Sequence, residues 1–143
     1  MDIDLYRRPV GPIADGILSI VGDLTGVWFT TDVAAATRRD LLFHDAYCAT
    51  LDGRIRAFVM FTSHDGAIHI TLMGTSPAYR RQGLGSALMK QLEAYAEALG
   101  FDELVAFTGH LRQSLSIKPL LISIRSMGSR WSANMPSFGR AGP

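Results

Sequence analysis

The stretch Ser76 to Met89, SPAYRRQGLGSALM, sets two arginines, two glycines and a serine directly before an amphipathic run. The first four N–H groups of any helix lack a partner inside it, and the macrodipole adds partial positive charge there. A phosphate fits such a mouth, provided the approaching chain sheds side chains and takes turns that ordinary residues avoid, which Gly83 and Gly85 allow. Arg80 and Arg81 bring positive charge to the approach, and Ser86 brings a hydroxyl. Charge-assisted hydrogen bonds are worth about 1.5–3 kcal/mol each, so four or five would hold a diphosphate. Two familiar phosphate motifs do not fit. No Lys-Ser/Thr pair follows the glycines, as a P-loop requires. Leu88 stands where a dinucleotide fingerprint wants its third glycine. An isolated Gly-x-Gly could also be a plain helix start that turns a corner.

The surrounding elements must position that loop. Pro12 to Leu24 places Ile13, Ile17, Ile20, Val21 and Leu24 at helical spacing, with Pro12 in the first turn. TTDVAAATRRDLL reads as a second, shorter helix capped by Thr31 or Asp32. AYCATL, RIRAFVMF and AIHITLMGT are β-rich runs separated by DG and HDG, which predicts an antiparallel meander of three strands. From Gly83 the apolar positions Leu84, Leu88, Leu92, Tyr95 and Leu99 make one long helix, with Gly100 as its stop. DELVAFTG then reads as a buried strand parallel to the one before the helix, which completes a βαβ crossover. The fold class expected is α+β, or α/β, with an antiparallel front and a crossover that carries the glycine loop. After Gly109 no clean period survives.

The chain has 143 residues, enough for one domain with a real core, expected over residues 1–110, with 111–143 as a divergent basic tail. All 13 acidic residues lie at or before Glu103, whereas Leu104 to Pro143 holds five basic residues and no acid. Five charges spread that widely make a poor polybasic cluster, so nucleic acid is not an expected partner. Cys48 is the single cysteine, which rules out a disulfide framework and a multi-cysteine zinc site and suggests a reducing, cytoplasmic setting. The opening residues carry acids and no apolar core, so neither a secretory leader nor a membrane association is expected.

TSPAYRRQGLGSALM resembles motif A of the GCN5-related N-acetyltransferases, R/Q-x-x-G-x-G/A, here Arg80-Arg81-Gln82-Gly83-Leu84-Gly85. The resemblance extends over about Ile13 to Thr108 in the family's order of elements. It implies an enzyme that passes the acetyl group of acetyl-CoA, bound as cosubstrate without a metal, to a primary amine of a small molecule or peptide by direct attack. It implies that the amides from Arg81 through Ser86 cradle the diphosphate. Met73, Gly74 and Thr75 would splay from the neighbouring strand, with backbone groups at Met73 and Thr75 bonding the pantetheine arm and polarising the thioester carbonyl. Gly74 would let the ligand lie close, or mark a bulge. Dimers are frequent among relatives, so a homodimer is expected.

The chemistry needs a neutral amine, and a lysine-like amine is neutral less than about one time in a thousand at pH 7. His69 is the candidate base. It alternates with Ile68 and Ile70 on the strand, as Thr71 and Met73 alternate with Ile70 and Leu72, and some members of the family carry a base, usually glutamate, at the corresponding place. It could equally be an ordinary strand histidine. His44 and Asp45 are weaker candidates, His110 could line the cleft, and His64 and Asp65 read as turn residues. Trp28 and Phe29 fall in the region that borders the acceptor pocket in relatives, or are core. Tyr47 and Tyr95 read as core, and Tyr79 as packing the loop. Relatives carry a tyrosine in a later helix that protonates the departing thiolate, but no tyrosine follows Tyr95. RSMGSRW, Arg125 to Trp131, keeps part of the expected pattern without its aromatic residues. Either the tail has diverged or its reading frame changed near Gly109. Two other readings follow: a catalytically weak acyl-CoA-binding sensor or regulator on the same fold, and a phosphate-ligand module unrelated to CoA or a basic-tailed interaction protein.

Overall fold

The computed structural model describes residues 1–108 and 111–116 of the chain. The strands are β1 (Asp2–Tyr6), β2 (Asp45–Leu51), β3 (Arg54–His64), β4 (Ala67–Thr75), β5 (Glu103–Thr108) and β6 (Leu111–Ser116). The helices are α1 (Gly11–Leu24), α2 (Asp32–Asp40) and α3 (Leu84–Leu99), and a 3-10 turn, Pro77–Tyr79, joins β4 to α3. The strands lie side by side in chain order, all neighbours antiparallel except β4 and β5, which run parallel across the α3 crossover. This is the expected mixed α+β architecture. His110 and residues 117–143, including the Arg125–Trp131 stretch, lie outside the described residues.

The meander owes its register to two turns. Asp52 and Gly53 have φ of 53° and 75°, and Asp65 and Gly66 have φ of 54° and 75°. Both are the doubly left-handed pair that matches strand twist in a two-residue hairpin. Gly100 ends α3 at φ 79°, with its N–H returned to the carbonyls of Ala96 and Glu97. Neither Thr31 nor Asp32 caps α2 as expected. Thr31 is already helical, at φ −66° and ψ −22°, and makes no side-chain cap bond. Instead the Thr30 hydroxyl donates to the Asp32 carboxylate, which holds that acid below its ordinary pKa.

Helices cover both faces of the sheet. On one face α3 lays Leu84, Leu88, Leu92 and Ala96 over Val59, Phe61, Ile68 and Ile70. Tyr47 and Tyr95 are part of this packing, as expected, with ring centroids 5.7 Å apart. On the other face α1 presses Ile17, Ile20, Val21 and Leu24 onto Cys48, Phe58, Met60 and Leu72. Fully burying a side chain of this size contributes about 1.5–3 kcal/mol, so these two layers carry the fold.

Three features depart from the sequence reading. β1 was not anticipated, although DIDLY alternates and tucks Ile3 and Leu5 against the α3-side core. β6 continues the sheet beyond Gly109 by pairing with β5 from Thr108↔Leu111 to Glu103↔Ser116. The third lies inside β4. Simple alternation would group Leu72 with Ile68 and Ile70, and Met73 with His69. The register instead steps from Phe61↔Ile70 to Met60↔Leu72, which leaves Thr71 as an extra residue. Its hydroxyl donates to the Met60 carbonyl at 3.2 Å. This bulge reverses the alternation, so that Met73 joins Ile68 and Ile70 under α3 while Leu72 turns to α1.

Candidate functional site

The glycine loop leaves β4 through a short, bonded turn. Ser76 N–H donates to the Arg56 carbonyl at 2.7 Å, and Tyr79 N–H donates to the Ser76 carbonyl at 2.9 Å. Arg80 N–H reaches the Pro77 carbonyl at 3.5 Å. The backbone then takes two left-handed steps, at Arg81 (φ 65°) and Gly83 (φ 79°). Ala87 N–H donates to the Gly83 carbonyl at 3.0 Å, closing the first helical bond of α3. Among the described residues, no backbone carbonyl accepts from the amides of Arg81 to Gly85. A Cβ added at Gly83 would meet no atom within 4 Å, so the space above it is open. Arg81 and Gln82 are exposed, Gly85 and Ser86 half-buried, and the Leu84 side chain anchors the helix start in the core.

Two arginines fasten the flanks of this loop. The Arg80 guanidinium stacks over the Trp28 ring, 4.3 Å from its centroid. Trp28 is held there by a tight turn after α1, in which Val27, Trp28 and Phe29 N–H groups all converge on the Leu24 carbonyl at 3.1, 2.8 and 3.1 Å. Phe29 is buried in the α1-side core, so of the aromatic pair Trp28 alone faces the loop. On the other flank, the Tyr79 hydroxyl donates to Asp52 Oδ2 at 2.9 Å, and Arg56 lies 4.4 Å over the Tyr79 ring. The carboxylate that accepts the phenol's hydrogen holds Tyr79 above its ordinary pKa. Asp52 and Arg56 escaped the sequence reading; Asp52 showed only as a turn former, and Arg56 gave no signal.

Beside the loop, the sheet forks. β4 stays paired with β3 as far as Ala57↔Thr75, but its ladder with β5 stops at Ile70↔Ala106. The edge of residues 71–75 that faces β5 therefore has no strand partner among the described residues. This is the place where Met73, Gly74 and Thr75 were expected to splay. Gly74 has a packing role that the sequence did not suggest. A Cβ there would come within 2.9 Å of the Phe58 ring and 3.2 Å of Leu24 Cδ1. Gly74 and Phe58 are direct cross-strand partners, so the missing side chain admits the ring. The bulge of β4 sits at Thr71 rather than at Gly74.

His69 pairs with Val105 in the last stretch of the parallel ladder, one residue before the fork. Its ring is half-buried and packs against His64 with centroids 3.9 Å apart. His64 is thus the final residue of β3, and Asp65 the turn former. His44 and Asp45 lie elsewhere: His44 Nδ1–H donates to the Asp40 carbonyl at 2.7 Å, and Asp45 Oδ1 accepts from Arg8 N–H at 3.1 Å. Asp45 opens β2, two strands from β4. Among the described residues, no three His, Cys, Asp or Glu side chains group to hold a metal, and no helix is long and apolar enough to cross a membrane.

The sequence profile described as "Acetyltransferase (GNAT) family" matches residues 19–115. Curated proteins yield no match to the chain. Several solved structures share the fold. A GNAT-family protein from Desulfovibrio desulfuricans superposes with a TM-score of 0.67 at 15% identity, over 90% of this chain and 83% of that one. The ribosomal-protein-S18-alanine N-acetyltransferase of Escherichia coli gives 0.60 at 16% identity, over 87% and 75%. A GNAT-family acetyltransferase from Brucella melitensis, solved in complex with acetyl-CoA, gives 0.60 at 15% identity, over 80% and 88%.

Proposed function

We propose that this chain, which belongs to the acetyltransferase (GNAT) family, binds acetyl-CoA at the mouth of α3 and transfers its acetyl group to a primary amine of a small molecule or peptide. One observation carries the reading: the amides of Arg81 to Gly85, which no described backbone carbonyl accepts from, gathered around two left-handed residues at the start of a 16-residue helix. Such a set of donors suits a diphosphate in both charge and geometry. The open space over Gly83 leaves room for it.

The remaining roles follow from position. Arg81 and Gln82, exposed at the loop, supply amides and, through Arg81, positive charge. Leu84 supplies its amide only, since its side chain is spent on the core. Gly85 and Ser86 complete the first turn. Arg80 serves indirectly, by tying the loop to Trp28. The edge of Met73, Gly74 and Thr75, which has no strand partner among the described residues, offers peptide groups to an extended ligand arm, and an N–H there would stabilise the oxyanion that forms when an amine attacks a thioester. Acetyl-CoA supplies the activated acyl carbon; the protein supplies alignment, where effective molarities reach about 10⁵ M or more.

His69 is the proposed base. Imidazole is the side chain best suited in type to take up and release a proton near neutral pH. Four residues of strand separate His69 from Met73, roughly 13 Å at 3.3 Å per residue. At that distance, a base at His69 would act on an amine near Met73 only through intervening groups, not by direct contact.

Calorimetric titration with acetyl-CoA, followed by free-thiol release with spermidine, tryptamine and a peptide bearing a free α-amine, tests the reading. Saturable binding and release with at least one amine are expected; a chain that does not bind acetyl-CoA refutes the assignment. His69→Ala should reduce turnover at neutral pH while sparing acetyl-CoA affinity, and an unaltered pH–rate profile would remove His69 as base.

A further inference from the structure

The loop amides can act together only if the backbone between β4 and α3 is already in place. That backbone contains Arg81, a non-glycine residue at φ 65°, a conformation that persists where the surroundings over-determine it. Upstream of Arg81, fastenings converge from the β2–β3 hairpin. Arg56 contributes two: its carbonyl takes Ser76 N–H at 2.7 Å, and its guanidinium covers the Tyr79 ring at 4.4 Å, while its own Nε–H donates to the Leu51 carbonyl at 3.3 Å and so fixes the arginine in the hairpin. Asp52 contributes the third through the Tyr79 hydroxyl at 2.9 Å. Asp52 is itself locked by its left-handed place in the turn.

We propose that Tyr79, gripped by Asp52 and Arg56, is a positioning residue that presets the loop amides for the diphosphate of CoA; this inference rests on the acetyl-CoA reading above. The magnitudes separate a positioning role from a structural one. The Tyr79–Asp52 hydrogen bond is exposed, and a single exposed bond of this kind adds little to global stability. A binding-competent loop is different, because apparent affinity falls in proportion to the fraction of molecules that hold the right conformation. Loosening the grip should therefore weaken CoA roughly three- to tenfold and leave thermal unfolding almost unmoved.

The test is isothermal titration of the full chain with CoA, with thermal midpoints measured in parallel, for the wild type, Tyr79→Phe, Asp52→Gly, their double variant and Asp52→Asn. Tyr79→Phe keeps the ring beneath Arg56 and removes only the hydroxyl. Asp52→Gly removes the carboxylate from a position where glycine accepts the positive φ. Each should weaken CoA by the stated factor, and the double variant should bind no worse than the weaker single, because both delete one bond. Asp52→Asn retains an acceptor and tolerates the left-handed region, so it should stay within about twofold of the wild type. Singles that bind CoA as the wild type does, or losses that multiply in the double variant, overturn the inference while leaving the function intact. A wild type that does not bind CoA brings down the acetyl-CoA reading, and this inference with it.

Discussion

The two edges of β4 differ sharply. Toward β3 the strand is paired along its whole length, from Ala67↔His64 to Thr75↔Ala57, with a single interruption at Thr71. Toward β5 it is paired for four residues only, Ala67 to Ile70. The first edge is where the fold is held. Four cross-strand partners make one row there, Asp4↔Cys48, Cys48↔Phe58 and Phe58↔Gly74. The row ends where the missing Cβ of Gly74 lets the Phe58 ring close over it. Among the described residues, the second edge has no ladder partner beyond Ile70, where a sheet would normally complete its hydrogen bonds. One strand thus serves as both scaffold and proposed ligand rail.

The comparison can be broken most severely from the bonded edge. Phe58 is completely buried between Leu24 and the sheet. Phe58→Ala should cost about 3–5 kcal/mol of stability, read from the chemical denaturation midpoint. A loss below about 1 kcal/mol would mean that this row does not hold β4. The open side should answer in the opposite way. Gly85→Glu puts a carboxylate into the first turn of α3, facing the proposed diphosphate. It should weaken CoA at least about a hundredfold, about 2.7 kcal/mol, with unfolding little changed. If Gly85→Glu bound CoA normally, the cup at residues 81–85 would lose its assigned ligand.

The same contrast explains what could be read in the sequence. The hairpins were legible because Asp-Gly pairs dictate their own backbone, and both turned out with positive φ at each residue. The helix α3 and its glycine mouth were legible for the same reason, since periodicity, Gly83 and Gly100 are local signals. Thr71 was not legible. Nothing in HITLM announces an extra residue; the bulge arises from fitting β4 to β3 while Ile70 still faces α3 and Leu72 must face α1. β1 had the alternation of a strand, but five residues beside Arg7, Arg8 and Pro9 gave too short a pattern to weigh. The grips on the loop were also out of reach. Tyr79 meets Asp52 across 27 positions of chain, and no residue in YRRQG indicates that Arg80 will lie on Trp28.

The subtlest test also lies in the Gly74 row, at Cys48. Burial pushes its thiol up to about 12, and the nearby Asp4 charge adds to the effect. The folded chain therefore keeps Cys48 protonated at a pH where the unfolded chain, with a thiol near its ordinary value, releases the proton. A raised folded-state pKa means that the stabilisation is fully present below about pH 9 and is lost as pH rises toward 12. The slope can reach about 1.4 kcal/mol per pH unit across that window. Denaturation midpoints measured at pH 8, 9 and 10 should fall more steeply for the wild type than for Cys48→Ala. The difference between the two slopes removes the contribution of lysines and tyrosines, which both proteins share. Over the same range, CoA affinity at the open edge should not follow Cys48, because that edge faces β5 and not the row. Parallel slopes for the two proteins would show that water reaches the thiol, and that the bonded edge of β4 is less closed than its hydrogen bonds imply.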